Sequence, residues 1–483
     1  MIHAAGLFHI AGIFLLMLAT VMALPAAWGW IAGAAGAAAL AQAALLTAVA
    51  GAALAALLKP PQTEINRREG ILVTVILWVA GCGFGSLPYL LTPEFASVTD
   101  AVFESVSGFT TTGATILPRV EVLPPVIQFW RHFTHWLGGM GVVLLTIAVL
   151  PLVGAGGMAL YRAEFSGARS EKLAPRIAET ALSLWKVYAG LSLLEYLLLR
   201  LAGMSAFDAA CHTFSTLGTG GFSTRSESIA AFRSPLIEYI IILFMFLAGL
   251  NFTLHYRLWV RRETGKVFRD YELTAYAAIL ALSTLLVFFS VVSAGILSGE
   301  PALRAALFQV TSIGTTTGFA TADYEAWPPL CHAVLLALMF VGGCTGSTAG
   351  GWKVARVVLL GKIVNRELLR TSFRRGVFAV RAGGQPVPES AVQGLLNLIY
   401  LSLLVYLVAL LILAASGVDL LTALGGVAAA MFSIGPGFGT VGPAENYAHL
   451  PAAAKWTLSL CMIAGRLEFY TFVVVLSPAF WRK

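Results

Sequence analysis

Thr315-Thr316-Thr317-Gly318-Phe319-Ala320-Thr321 closes an apolar, helix-like stretch, and three looser copies of it stand elsewhere in the chain. They read Thr110-Thr111-Thr112-Gly113-Ala114-Thr115, Gly218-Thr219-Gly220-Gly221-Phe222-Ser223 and Ile434-Gly435-Pro436-Gly437-Phe438-Gly439. Setting Gly113, Gly221, Gly318 and Gly437 in register gives spacings of 108, 97 and 119 residues, a fourfold internal repeat.

Glycine admits backbone angles that other residues avoid, so a Thr/Gly run can turn its carbonyl oxygens towards a shared axis. A ring of such carbonyls replaces the water shell of a small cation, which is the physical basis of a selectivity filter. One such run alone reads as an ordinary loop. Four of them, each following an apolar segment of similar length, favour a common axis.

The rest of the composition sets the medium. Of 483 residues, 58% are hydrophobic and 11% charged, and the mean hydropathy is +0.83; a soluble domain carries about 25% charged residues. The chain is therefore expected to cross a membrane many times. Ile10 to Leu24 has the apolar core of a secretory leader, with Ala23-Leu24-Pro25-Ala26 as a cleavage site, but lacks a basic n-region, and a second apolar run follows at once. A retained helix is expected. Cys82, Cys211, Cys331, Cys344 and Cys461 are odd in number, without CxxC pairing, and read as reduced packing residues. The formal charge of +7 sits in short connections between apolar runs, which speaks for lipid headgroups and against a nucleic-acid partner.

Two long apolar segments, Leu7 to Leu24 and Gly29 to Leu58, come first and carry no Thr/Gly run. Each exceeds or approaches the about 20 helical residues that a bilayer core requires. Then a unit of span, short helix and span recurs. The first has Ile71 to Leu91, Asp100 to Phe109 and Ile127 to Val153; the second Ile177 to Leu201, Ala206 to Leu217 and Leu236 to Trp259. The third has Tyr271 to Leu297, Pro301 to Ile313 and Leu330 to Leu360; the fourth Leu395 to Ala415, Leu420 to Ile434 and Ala452 to Val475. The chain divides accordingly into an N-terminal helix pair (1–60) and repeats at 61–176, 177–269, 270–382 and 383–483. The expected fold is an all-α integral membrane protein of ten transmembrane helices, with four re-entrant pore helices around one pore.

The short helices cannot cross a bilayer and must dip in and return. Asp100, Pro301 and Asp419 stand near the starts of three of them, where acids and proline suit a helix N-terminus. Their C-terminal ends, each worth about half a negative elementary charge, then face a central cation. Orientation follows from basic residues. Lys59, Arg67 and Arg68; Arg162, Arg169, Lys172 and Arg176; Arg257, Arg261, Arg262, Lys266 and Arg269; and Lys362, Arg366, Arg370, Arg374, Arg375 and Arg381 occupy connections on one side. The other side holds chiefly Arg119, Arg225, Arg233 and Arg304. The positive-inside rule puts both termini in the cytoplasm and the four runs outside.

These four units, each ending its pore helix in a glycine-centred run, resemble the Trk/Ktr/HKT superfamily of potassium transporters. The two extra N-terminal spans make the chain similar to the bacterial TrkH branch in particular, over nearly its whole length. The resemblance implies potassium uptake across a bacterial inner membrane, with K⁺ as the transported ion and no organic cofactor. It also implies a homodimer with one pore per subunit and a cytoplasmic, nucleotide-binding regulatory partner of the TrkA type. Lys362 to Gln393, the longest polar stretch, is too short to bind a nucleotide by itself. Carried over by position, the filter falls on Thr111, Thr112, Gly113, Thr219, Gly220, Gly221, Thr316, Thr317, Gly318, Gly435, Pro436 and Gly437. The K⁺-binding carbonyls are then those of Thr112, Gly220, Thr317 and Pro436. In some plant relatives a serine replaces the first filter glycine and accompanies sodium transport, so Gly113 favours potassium. Pro436 lacks only the N–H, and its carbonyl remains free to face an ion.

Gly342-Gly343-Cys344-Thr345-Gly346-Ser347-Thr348-Ala349-Gly350-Gly351 interrupts the last span of the third unit. Glycine inside a helix costs about 1 kcal/mol relative to alanine, so the helix is expected to break there. Broken backbone at membrane depth survives when buried or lining water. A gate beneath the filter, formed by Gly343, Gly346, Ser347, Thr348, Gly350 and Gly351, is one reading; a small-residue surface for close helix packing is the other. Arg466 lies inside an apolar span and needs partners there. It is expected on carbonyls of the Gly343 to Gly351 loop, with an ion pair to an acid on another span as the alternative; Glu468, two residues on, faces away. Lys353, just past the loop, is expected to snorkel to the headgroups, with a place in the gate beside Arg466 as the alternative. His132 and His135 read as part of an interfacial helix start, His212 as a satisfied core histidine, and Asn251 as a hydrogen bond between spans. Glu104 and Asp323 are placed to attract cations or to lie in solvent. Two alternatives to potassium uptake remain: a sodium-permeable or proton-coupled transporter of the same fold, and a lipid-modifying membrane enzyme with His132, His135 or His212 as base.

Overall fold

The computed structural model describes residues 3–58, 66–149, 177–373 and 376–482. Lys59, Arg162, Arg169, Lys172, Arg176, Arg374 and Arg375, used above for orientation, and the last residues of the expected span ending at Val153 lie outside them.

Helices α1 (Ala4–Ile31) and α2 (Ala37–Leu57) fold back on each other. The turn between them forms where Gly33 and Gly36 adopt φ of +63° and +91°, which delays the second helix beyond its expected start at Gly29. A Cβ at Gly12 would stand 2.8 Å from the Gly51 carbonyl oxygen, so small residues let the two backbones touch.

The first unit is α3 (Arg67–Gly85), α4 (Val98–Phe109) and α5 (Pro125–Val149). The second is α6 (Ile177–Leu201), α7 (Ala206–Leu217) and the bent pair α8 (Pro235–Ala248) and α9 (Phe252–Trp259). The third is α10 (Tyr271–Ser293), α11 (Gly299–Gly314), α12 (Pro329–Val341) and α13 (Val354–Ser372). The fourth is α14 (Glu389–Ala415), α15 (Leu420–Met431), α16 (Ala452–Arg466) and α17 (Tyr470–Leu476). Among the described residues six helices are long and apolar enough to cross a membrane, or eight if each bent pair is one span; α5 and α12/α13 stand where the other two spans are expected. A small hairpin, Arg381–Ala382 against Gln385–Pro386, is the departure from all-helical structure among the described residues.

Three of the four pore helices start at a side-chain cap. Ser97, Ser205 and Asp419 accept the backbone N–H of Asp100, Asp208 and Thr422 in turn, satisfying one orphan donor each.

The sequence predicts one broken span; among the described residues three are broken. The α8/α9 pair bends by 101° and α16/α17 by 120°. At the first bend a Cβ on Gly249 would overlap the Tyr276 hydroxyl, and Asn251 caps α9 by accepting the Thr253 N–H at 2.8 Å rather than bridging two spans. At the second, Glu468 and Phe469 take φ of +56° and +52°. Freed backbone groups then satisfy one another: Cys344 N–H donates to the Gly249 carbonyl at 2.8 Å and Phe252 N–H to that of Gly346 at 3.1 Å.

Candidate ion pathway

Each pore helix runs straight into its Thr/Gly segment, and the four segments share one backbone pattern. Thr111, Thr219, Thr316 and Ser433 adopt φ of +56°, +52°, +57° and +58°, and two residues later Gly113, Gly221, Gly318 and Gly435 adopt +82°, +77°, +84° and +95°. The residue between them bonds back to its pore helix in every copy. Thr112 N–H reaches the Ser107 carbonyl at 2.9 Å, and Gly220, Thr317 and Ile434 N–H reach those of Ser215, Ser312 and Ala429 at 2.8 Å. Left-handed Thr and Ser cost roughly 1–3 kcal/mol each, and such strain collects at functional sites.

The segments close a ring. A Cβ built on Gly113 would overlap the Gly220 carbonyl oxygen, one on Gly221 that of Thr317, and one on Gly318 that of Ile434; a Cβ on Gly435 would lie 2.7 Å from the Thr112 carbonyl oxygen. Copies distant in the chain are thus neighbours in order, one to two to three to four and back to one. A cavity touches all four, lined by Gly113, Gly221, Gly318, Gly435 and Pro436.

This geometry corrects the register of the fourth copy. Gly435, not Gly437, occupies the position of the other three glycines, and Ile434, not Pro436, that of Thr112, Gly220 and Thr317. The Gly-Phe pair common to three copies drew the alignment two residues too far. Gly437 instead packs on α15, where its added Cβ would stand 2.8 Å from the Gly425 carbonyl carbon, and its N–H donates to Val441 at 2.7 Å.

What braces the ring differs from copy to copy. The Thr110 and Thr112 hydroxyls pair at 2.8 Å, as do those of Thr315 and Thr317. The fourth copy has no such ladder; Tyr447 Oη donates to the Gly435 carbonyl and Tyr324 Oη to that of Gly437, both at 2.7 Å. Glu325 accepts the Gly439 N–H. Burial pushes its carboxyl up, although that N–H pulls the other way.

Glu104 does not face ions. It is fully buried and accepts Arg131 Nε at 2.6 Å, the Thr115 hydroxyl at 2.9 Å and the Ile116 N–H at 3.0 Å. Arg131 also donates from Nη1 to the Ser223 carbonyl at 3.3 Å and lies 3.4 Å from the centroid of Phe222. The pair therefore ties the exit of the first segment to that of the second. Asp323 is exposed and caps a short turn by accepting the Glu325 N–H at 3.0 Å.

His132 and His135 are not interfacial either; both are buried behind the second segment. His135 stacks on Phe222 with centroids 4.1 Å apart and meets the Ser215 hydroxyl at 3.1 Å. His212 has both nitrogens engaged, by the Asp208 carbonyl and the Ser223 hydroxyl, as a satisfied core histidine should.

Beneath the ring lies the Gly-rich loop between α12 and α13. Its limbs run together, with Trp352 and Lys353 N–H on the Phe340 and Val341 carbonyls at 2.9 Å. Gly350 N–H donates to the Thr316 hydroxyl at 2.6 Å, so the loop touches the third segment. Arg466 ends α16 and sends Nη1 to the Thr348 carbonyl and Nη2 to that of Gly138, both at 2.9 Å. Glu468 pairs instead with Arg356 at 2.8 Å. Lys353 does not reach for headgroups: it is buried, with Nζ on the Ala349 carbonyl. Gly343, Gly346, Ser347, Thr348, Gly350, Gly351 and Arg466 are thus brought together directly below the glycine ring. Sequence reasoning missed Arg131, Tyr324, Tyr447, Glu272 and Glu195. A carboxyl inside a predicted apolar span is the signal that could have found the last.

Residues 37–483 match the TrkH family of cation transport proteins. The chain is 43% identical to the Trk system potassium uptake protein TrkH of Halomonas elongata and 40% identical to that of Escherichia coli K12, with 87% of each chain covered in both cases. It superposes on the crystal structure of the potassium transporter TrkH from Vibrio parahaemolyticus with a TM-score of 0.90 at 35% identity over the full length of both chains. With this architecture, a closed ring of four glycine segments and that degree of likeness, the chain belongs to the TrkH family of cation transport proteins and is a transporter, not a lipid-modifying enzyme.

Proposed function

We propose that the protein takes up potassium through the glycine ring. The closed order of the four segments carries this reading, since each segment sets a backbone carbonyl beside the glycine of the one before it. An entering ion exchanges water for the carbonyls of Thr112, Gly220, Thr317 and Ile434, assisted by the negative ends of four pore helices. Uptake needs no other energy source than the membrane potential, worth roughly 2.3 kcal/mol per charge per 100 mV. The ring faces the outside of an inner membrane, the termini face the cytoplasm, and the chain works as four repeats in a homodimer under a TrkA-type nucleotide-binding subunit. Relatives named as Trk system potassium uptake proteins support potassium as the ion and a place in a larger system. Rubidium uptake into vesicles containing the purified protein tests it: potassium should suppress uptake at much lower concentration than sodium, and equal suppression would turn the reading to a sodium-permeable transporter.

The loop of Gly343 to Gly351 is the gate, and Arg466 holds it across the path while adding a positive barrier. Arg466→Ala should raise both open probability and single-channel conductance. If neither moves, the loop is packing and not a gate.

Proton coupling has one observation in its favour. Glu195 is fully buried in α6, with the Thr216 side chain beside its carboxyl; ionisable groups at membrane depth are expensive and mark ion or proton paths. On that reading potassium uptake carries protons inwards and Glu195→Gln abolishes the proton movement alone. Potassium uptake without any proton flux in the unaltered protein removes it.

A further inference from the structure

Glu272 stands in the first turn of α10, at the end of that helix nearest the Arg257 to Arg269 cluster, and nothing in the proposed ring or gate employs it. The residue is 8% exposed. One oxygen, Oε1, accepts the Thr345 N–H at 2.6 Å and the Ala355 N–H at 3.1 Å. These two donors lie on opposite sides of the break: Thr345 on the descending limb of the loop, and Ala355 one residue inside α13. Val354 N–H on the Gly343 carbonyl at 3.0 Å also joins the start of α13 to the descending limb, and Glu272 adds the tie from both to the neighbouring span α10.

We propose that Glu272 is the latch of the loop, a positioning residue that keeps the descending limb and the start of α13 gathered on the neighbouring span. The inference rests on the reading of the loop as a gate. Ala355 N–H is one of the donors that a helix start leaves without an internal partner, and a carboxylate there also meets the positive end of the helix. A charge-assisted bond of this kind is roughly twice as strong as a neutral one. While both bonds persist, α13 cannot pivot away from α10 without pulling on Thr345, and Thr345 is three residues from the Thr348 carbonyl that Arg466 holds. Movement of α13 and release of the loop are therefore one event, and Glu272 is where both are joined to α10. The Glu272 carboxylate reaches the loop from outside the ion path, so it governs how often the path opens and not which ion passes.

Single-channel recording on the purified full-length protein tests this, with Glu272→Ala, Glu272→Gln and Arg466→Ala measured side by side. Glu272→Ala removes the bridging oxygen and is expected to raise the open-to-closed ratio about a hundredfold or more, from two charge-assisted bonds lost, with conductance and potassium-over-sodium permeability unchanged. Glu272→Gln keeps a carbonyl oxygen in the same place without the charge and should fall between Glu272→Ala and the unaltered protein, a partial rescue that a general loss of packing would not produce. If Glu272→Ala does not fold, Glu272→Asp, one methylene too short to meet both donors, carries the same expectation. An open probability that is unchanged or lower, or a change in conductance or selectivity, overturns the latch. Should Arg466→Ala shift the recordings while Glu272→Ala does not, the latch falls and the gate stands; should neither shift them, the gate itself falls.

Discussion

Gly318→Ala is expected to lower rubidium uptake by about a hundredfold or more while leaving the protein folded. Two effects coincide at this residue. Its φ of +84° belongs to the left-handed region where a Cβ is strained, and that Cβ would overlap the Ile434 carbonyl oxygen. The oxygen must retreat, and the ring loses a ligand where dehydration is compensated. Gly435→Ala should behave in the same way, since the fourth copy contributes its left-handed glycine there. Pro436→Ala should be mild, because Pro436 holds no strained angle and its carbonyl is not the one beside Gly318. Uptake measured for the three variants in vesicles checks the register directly: a silent Gly435→Ala beside a crippled Pro436→Ala would restore Gly437 as the fourth ring glycine.

Arg131→Met should be the most damaging change away from the ring. It strands Glu104, fully buried, without its counter-charge, and breaking one side of a buried ion pair costs about 3–5 kcal/mol. It also frees the Ser223 carbonyl and uncovers Phe222, so the second segment loses two of its supports. The expected outcome is a clear fall in melting temperature together with sodium competing more effectively for rubidium uptake. Glu104→Gln in the same chain should recover much of the stability, since no buried charge remains, yet not the selectivity, since nothing then reaches Ser223. Full recovery of both would mean that the pair is packing alone.

The fold was largely legible because it rests on length and repetition. Short apolar runs marked the pore helices to within about three residues, long ones marked the spans more loosely, with α2 starting at Ala37 where Gly29 was expected, and a polar cap such as Asp419 is a local signal. The ring was legible in three copies because threonine and glycine recur there in the same order. It failed in the fourth, where Ser433-Ile434-Gly435 keeps the backbone angles of Thr316-Thr317-Gly318 without its side chains. Backbone conformation can persist where residue identity does not, and a sequence alignment follows identity. The partners of Glu104, Arg131 and Glu272 were hidden for another reason: each bonds to a backbone group or a side chain far along the chain, and a buried carboxylate looks the same in sequence as a solvated one. The bends at Gly249 and at Glu468 were missed because an apolar run reads as continuous whether or not its backbone leaves the helix.

The phenolic props behind the fourth copy also bear on how this quarter of the molecule can be exchanged. Grafting the third copy's threonines into it, to make the four quarters more alike, would set new hydroxyls where Tyr447 and Tyr324 already hold the strand from outside. A quarter braced by its own side chains and one braced by remote rings are not interchangeable cassettes. A chimera that swaps the short strand without its two aromatic struts, one of them lent by the third quarter, should assemble poorly even though every ring carbonyl is present.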